Sequence, residues 1–130
     1  MNPATAKRVE QALERLAIEG IYFNAEYETN DFWSVQEGSP EAQNWSCYLD
    51  KLELGNKNYR LIPKEGVSLV YLGQRTPNFE KTIDYYIVEI PEGLSFSISH
   101  HVDLGIDDGF IIGKLDLIPD YLVAKLVEKS

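Results

Sequence analysis

The sequence lacks the features that mark secreted and membrane-spanning proteins. One cysteine, Cys47, occurs among 130 residues, so no disulfide can form within the chain and a reducing compartment is favoured. No apolar run approaches the length of about 18 residues that a membrane-spanning helix needs. The first residues lead into a charged segment instead of an apolar signal segment. We therefore expect a cytoplasmic protein.

Signatures of common catalytic and phosphate-binding sites are also absent. The chain has no Gly-x-Ser-x-Gly elbow and no cysteine-protease motif. Gly105 and Gly109 stand among carboxylates, which would repel a phosphate. Cys47 lies between Trp45 and Tyr48, and such a neighbourhood is typical of a small buried hydrophobic residue. We assign no catalytic residue from the sequence.

Basic residues are scarce. Lysine and arginine number 12 against 21 aspartates and glutamates, which gives a net charge of −9. This charge opposes binding to nucleic acid or to an anionic membrane and favours a basic protein or cations as partners. The charge is also striped, since no lysine or arginine occurs between Arg15 and Lys51 or between Lys81 and Lys114.

The composition that remains is that of a globular domain. The chain is 44% apolar and 25% charged, close to the average of folded proteins, and its length fits one compact domain over residues 1–130. The clearest structural signal is a hairpin over residues 83–101, whose second half alternates apolar and polar residues after the turn Pro91-Glu92-Gly93. The pattern predicts an α+β fold, with an antiparallel sheet of about five or six strands and the N-terminal and C-terminal helices packed on one face.

Other elements follow from periodicity and turn residues. In order, we predict a helix over 3–19 capped by Gly20, strands over 21–27 and 32–35, a helix starting at Ser39, a strand over 67–72, a loop over 74–81, a connection over 101–109, a strand over 110–112 and a helix from Pro119. Residues 46–54 allow two interpretations, because they continue the helical spacing and also match a strand paired with 58–62. We favour a short helix that gives way to this hairpin.

Aromatic and acidic residues are mixed in the segment after the first strand. Aromatic anchors with an acidic rim are typical of a surface that binds a basic protein. The predicted partner-binding residues are Tyr27, Glu28, Asp31, Phe32, Trp33 and Glu37. Residues 103–108 are a second candidate surface. The favoured interpretation is an acidic protein-binding module, an inhibitor or immunity-type protein that masks a nuclease or another nucleic-acid-binding enzyme.

A divalent-cation site is the second interpretation. Asp103, Asp107 and Asp108, with His101, offer carboxylate and imidazole ligands on a glycine-containing segment. His101 and Asp103 would share a face of a strand, whereas adjacent residues would not. The segment departs from an EF-hand, since Lys114 stands where the bidentate glutamate belongs. Calcium is the expected cation.

A small enzyme is the third interpretation. Ser97, Ser99 and His101 alternate along the second strand of the hairpin and would share one face of the sheet. A deep pocket that holds one of them beside a perturbed carboxylate would favour catalysis.

Overall fold

The computed structural model describes residues 3–24, 33–35, 40–113, 115 and 118–128. These residues form helices and strands in a mixed order. In chain order the elements are α1 (Pro3–Leu13), β1 (Ala17–Ile18), β2 (Ile21–Asn24), β3 (Trp33–Val35), α2 (Pro40–Gln43), a 3-10 helix (Trp45–Cys47), β4 (Leu49–Gly55), β5 (Asn58–Pro63), β6 (Ser68–Asn78), β7 (Lys81–Ile90), β8 (Gly93–Asp103), β9 (Ile106–Gly113) and α3 (Asp120–Glu128).

The strands belong to two sheets. The larger has six strands in the order β1-β6-β7-β8-β9-β3, and the smaller has three in the order β2-β5-β4. Every pairing is antiparallel except that of β3 with β9, which is parallel. The predicted α+β fold with a mostly antiparallel sheet is confirmed in this coarse form. The expectation of one sheet is wrong, because the β4–β5 hairpin pairs with β2 instead of joining the larger sheet.

Strand β7 separates two groups of buried residues, because its side chains alternate between its two faces. On one side Tyr86 and Val88 belong to a cluster that includes residues of both sheets. Its other members are Ile21, Phe23, Ala42, Leu49, Leu61, Leu69, Phe96, Ile98, Phe110 and Ile112. On the other side Ile83, Tyr85 and Ile87 belong to a cluster that includes helical residues. Its other members are Val9, Ala12, Leu13, Val70, Ile118, Leu122 and Leu126.

The first helix is shorter than predicted. It ends at Leu13 instead of continuing to residue 19, because residues 17 and 18 pair with β6 as β1. Gly20 is therefore not the cap of α1. It lies where a Cβ atom would come within 2.5 Å of the Leu61 carbonyl oxygen, a separation that no larger residue tolerates. Its role is to let the chain pass close to β5.

The other predicted helices are confirmed. Helix α3 spans Asp120–Glu128 and buries Leu122 and Leu126. A short helix, α2, is followed by the 3-10 helix and then by the β4–β5 hairpin, as the favoured interpretation required. In the described part of the chain no helix is long and apolar enough to cross a membrane.

The hairpin predicted over 83–101 is confirmed, with Ile83 opposite His101 in the β7–β8 register. The loop predicted over 74–81 is wrong. Strand β6 continues to Asn78 and pairs with β7 along this length. Pro77 is tolerated because β7 flanks only one side of this part of β6, and no described strand pairs with the other side.

The connection predicted over 101–109 is also wrong. Strand β8 runs to Asp103 and β9 begins at Ile106, so Leu104 and Gly105 alone form the turn. Both have positive φ, 52° and 75°, as a two-residue type I′ turn requires. Leucine is rare at such a position, so a longer connection was predicted here instead of a two-residue turn. The Leu104 N–H donates to the Glu80 carbonyl at 2.7 Å and ties this turn to its neighbour.

Candidate functional site

Most of the predicted partner-binding segment lies outside the described residues. This holds for Tyr27, Glu28, Asp31, Phe32 and Glu37. The remaining member stands in β3, where the backbone of Trp33 is opposite Phe110 of β9. The interface predicted there stays a prediction.

The predicted cation ligands are divided among the two strands of a hairpin. His101 and Asp103 lie two residues apart on β8, and Asp103 stands opposite Lys81, whose ammonium group would oppose a bound cation. Asp107 and Asp108 belong to β9, and their side chains lie outside the described part. Within the described part, no group of three or more histidine, cysteine, aspartate or glutamate side chains could hold a metal ion. The calcium interpretation stays a prediction.

The turn between β8 and β9 belongs to residues 103–108, the second candidate for a partner surface. Leu104 is 68% exposed, and Phe79 on the neighbouring turn is 93% exposed. The hydrogen bond from Leu104 to Glu80 holds these two turns together. Two exposed apolar side chains therefore lie at this end of the larger sheet, and the partner surface predicted over residues 103–108 stays a prediction.

The serines and histidine proposed for catalysis are close together on β8. The hydroxyls of Ser97 and Ser99 donate to the carbonyls of Gly113 and Ile111 at 3.3 and 3.4 Å. Ser99 Oγ is also 3.0 Å from His101 Nε2. The Ser99 hydroxyl has one proton, which it can direct either to the Ile111 carbonyl or to the imidazole, depending on the tautomer of His101. The enzyme interpretation stays a prediction.

Four glutamates lie together near the turn of the β7–β8 hairpin, in a group that we call the acidic cleft. Glu10 lies in α1, and Glu14 follows the last residue of α1, where its N–H donates to the Glu10 carbonyl at 3.3 Å. Glu89 lies near the end of β7, and Glu92 lies in the turn that follows β7. The cleft has a volume of about 290 Å³. Its other described lining residues are Ile90, Pro91 and Gly93, so no lysine or arginine is among them.

Glu89 is the least exposed carboxylate of the cleft. Burial removes water from its ionised form, and the negative charges of Glu10 and Glu14 repel it further, so its pKa is raised above the ordinary value of 4.5. The other three glutamates are exposed at the rim. The cleft thus holds negative charges that repel one another, and a cation placed among them would relieve the repulsion.

A second, larger cavity of about 650 Å³ adjoins the cleft and shares Ile90, Pro91 and Glu92 with it. Its remaining lining residues are Glu41, Cys47, Tyr48, Lys64, Glu65 and Val67. The prediction that Cys47 is buried is wrong, because its side chain is exposed. The 3-10 helix packs Trp45 against the core and leaves Cys47 on the outside.

Asp84 belongs to the acidic segment between Lys81 and Lys114 but does not line the acidic cleft. Asp84 accepts a hydrogen bond from the Tyr71 hydroxyl at 2.9 Å and another from Gln74 at 3.2 Å. Burial, followed by this hydrogen bond and the charge of Asp84, raises the pKa of Tyr71 to about 12. The pKa of Tyr86 is raised still further, by burial and then by Asp84. Asp84 therefore has a structural role within the larger sheet.

Neither Glu10 nor Glu14 was identified as a site residue from the sequence, and neither was connected with Glu89 or Glu92. Two glutamates four residues apart on a helix surface repel each other, but Lys7 stands three residues before Glu10 and offsets part of this repulsion. The local sequence therefore contains no clear signal of the cleft. The partner residues on β7 could be found only from the packing.

Glu89→Gln should raise the free energy of unfolding near neutral pH by about 0.5 kcal/mol, the scale of like-charge repulsion between partly exposed groups. The raised pKa means that the folded state holds the proton more tightly than the unfolded state. The wild type therefore loses stability as the pH rises from about 4.5 through the raised pKa, and the loss persists at neutral pH. Urea unfolding at several pH values measures both effects.

Glu128→Gln is the matched control for this prediction, because Glu128 is exposed near the end of α3 and does not line the cleft. Its stability should follow that of the wild type at each pH. A Glu89→Gln protein that is less stable than the wild type at neutral pH would contradict the account of the cleft.

Comparison with protein-family models, with curated proteins and with solved structures finds no match for this chain.

Proposed function

We propose that this chain is a small cytoplasmic protein that binds a basic protein partner, as an inhibitor or immunity-type protein that masks a nuclease or another nucleic-acid-binding enzyme. The observation that carries the proposal is the acidic cleft. Four glutamates from two distant parts of the chain line it, and no basic residue is among its described lining. With a net charge of −9, the protein would be attracted to the positive surfaces that bind nucleic acid phosphates.

The perturbed Glu89 suggests how the cleft would recognise its partner. Burial, and then the nearby charges of Glu10 and Glu14, raise the pKa of Glu89 and make its carboxyl group costly to ionise. A lysine or arginine side chain inserted between these carboxylates would offset the repulsion and make charge-assisted hydrogen bonds. Binding would therefore be favoured because it relieves the repulsion between carboxylates that is already present in the free protein.

We also propose that both terminal helices cover the same face of the larger sheet, which would place Glu10 and Glu14 beside Glu89. The support is the second buried cluster. It joins Val9 of α1 and Leu122 of α3 with Ile83, Tyr85 and Ile87 of β7. Glu89 follows these β7 residues at the same two-residue spacing.

Capture from a lysate of the source cells tests the proposed function. The bait proteins are the wild type, Glu10→Gln with Glu14→Gln, and Glu80→Gln with Glu128→Gln. Both double variants lose two exposed carboxylates, but only the first pair lines the cleft. We expect one basic protein to be retained by the wild type and by the Glu80/Glu128 variant at low salt, and to be weakened at high salt.

The Glu10/Glu14 variant should retain much less of the same protein. Equal retention by all three baits would contradict a role for the cleft. Retention only of acidic proteins, unchanged at high salt, would contradict the proposed function itself.

A further inference from the structure

Among the described strands, β4 lies at an edge of the smaller sheet. It pairs with β5 on one side, and no strand of the described chain pairs with its other side. Every β4 residue after Leu49 is exposed, and Leu52 and Leu54 remain 46% and 50% exposed. An edge of this kind is a template for another strand.

The register shows which backbone groups point to the open side. The Lys64 N–H donates to the Tyr48 carbonyl at 2.9 Å just before β4 begins. In an antiparallel ladder the hydrogen-bonded positions alternate, so Asp50 and Leu52 direct their N–H and C=O groups towards β5. Lys51 and Glu53 direct theirs towards the open edge.

The side chains of these two residues share one face of the sheet. Lys51 and Glu53 are opposite Leu61 and Tyr59 of β5, and the Lys51 ammonium lies 4.4 Å from the centre of the Tyr59 ring. Leu52 points to the other face, beside Arg60. The open edge therefore presents a positive and a negative side chain two positions apart, with a half-exposed leucine between them.

We infer that this edge binds the β4 edge of a second copy of the chain, antiparallel and centred on Leu52. In that register Lys51 of each copy stands opposite Glu53 of the other, and each pair occupies a hydrogen-bonded position of the new ladder. The two copies of Leu52 meet at the centre. The two three-stranded sheets become one continuous sheet of six strands.

The charges of Lys51 and Glu53 favour the register centred on Leu52 over the registers centred on either of these two residues. Centring the pairing on Lys51 would place two lysines opposite each other, and centring it on Glu53 would place two glutamates opposite each other. Charged residues on an edge discourage pairing with unrelated strands, but here they complement the same strand read in the opposite direction. Because only a short edge and a few side chains are buried, below about 1,200 Å² in total, we expect a dimer that dissociates on dilution.

Charge reversal tests the inference by sedimentation velocity over a range of concentrations. Lys51→Glu alone places carboxylates opposite each other in both pairs, and Glu53→Lys alone places ammonium groups there, so each variant should stay monomeric where the wild type dimerises. The double variant Lys51→Glu with Glu53→Lys again has opposite charges in both pairs and should dimerise. Mixing the two single variants should produce a heterodimer although neither associates alone.

Lys57→Glu is the matched control, because it makes the same charge change in the β4–β5 turn, outside the proposed pairs. It should dimerise like the wild type. Thermal midpoints of all variants establish that they are folded. A wild type that remains monomeric at the highest concentration, or single variants that dimerise as well as the wild type, would overturn the inference. So would a folded double variant that stays monomeric.

A covalent trap gives a second measurement. In a Cys47→Ser background, Leu52→Cys places two thiols across the centre of the pairing, at a non-hydrogen-bonded position where Cα atoms are about 4.5 Å apart and a disulfide can form. Mild oxidation should yield a disulfide-linked dimer. Leu54→Cys in the same background, which is equally exposed, should yield much less. Equal yields from both positions would overturn the register.

Discussion

Phe110→Ala should lower the free energy of unfolding by about 3 to 5 kcal/mol, the usual cost of removing a buried phenylalanine side chain. Phe110 belongs to β9 of the larger sheet and is 2% exposed. Its ring meets Phe23 of the smaller sheet edge to face at 4.9 Å and stacks on His100 at 4.4 Å. Alanine would leave a cavity where the two sheets touch. The thermal midpoint should fall by about 10 to 20 °C.

Phe79→Ala is the matched control for this prediction. It removes the same atoms from a ring that is 93% exposed, so the free energy of unfolding should change by less than about 0.5 kcal/mol. Chemical denaturation of the three proteins measures both effects. If Phe110→Ala cost no more than Phe79→Ala, the contact between the two sheets would not contribute to stability as described.

Glu10→Lys with Glu14→Lys should slow association with the captured basic partner by about ten- to a hundredfold at low salt. The change replaces two negative charges at the mouth of the cleft with two positive ones, so the field that guides a basic protein to this site is reversed. Dissociation should change less than association, because both side chains lie at the exposed rim. Stopped-flow mixing at several salt concentrations separates the two rates.

The same four-unit change in net charge can be made away from the cleft. Glu80→Lys with Glu128→Lys alters exposed residues on a strand turn and on α3. This variant should slow association only through the net charge, and therefore much less. Equal slowing by both variants would mean that overall charge, and not the cleft, guides the partner.

The parts of the fold that the sequence predicts best are those with local signals. The β7–β8 hairpin has strict alternation along β8 and a turn at residues 91–93. The structure has the predicted hairpin, with Ile83 opposite His101. Helix α3 follows a proline and has apolar residues at helical spacing, with Leu122 and Leu126 buried. In these segments the local pattern and the tertiary packing favour the same structure.

In the segments that were predicted wrongly, pairing with a strand distant in sequence determined the secondary structure. Residues 74–78 contain a proline and few apolar side chains, yet they form a strand because β7 provides its hydrogen-bonding partner. Residues 17 and 18 continue the helical pattern of α1 but pair with β6. Tertiary contacts overrode local propensity in both cases, and no single-sequence pattern reports which strand will be the neighbour.

The acidic cleft could not be predicted from local sequence, because its residues come from distant parts of the chain. Glu10 and Glu14 are typical of a solvent-facing helix surface, and Glu89 is a polar residue near the end of a strand. Only the packing of α1 against β7 gives the three carboxyl groups a common electrostatic environment. The charge stripes did predict an excess of negative charge around Glu89 and Glu92, but not the helix that completes the cleft.

A cation bound in the acidic cleft should change the pKa of the Glu89 carboxyl, which carbon-13 NMR can follow in the free protein and with an oligolysine peptide at low salt. We expect a pKa above 4.5 in the free protein and a lower value with the peptide, because a cation in the cleft favours the ionised carboxylate. The carboxyl of Glu128, away from the cleft, should change much less. A Glu89 pKa that is the same with and without the peptide would contradict the proposal that this cleft binds basic side chains.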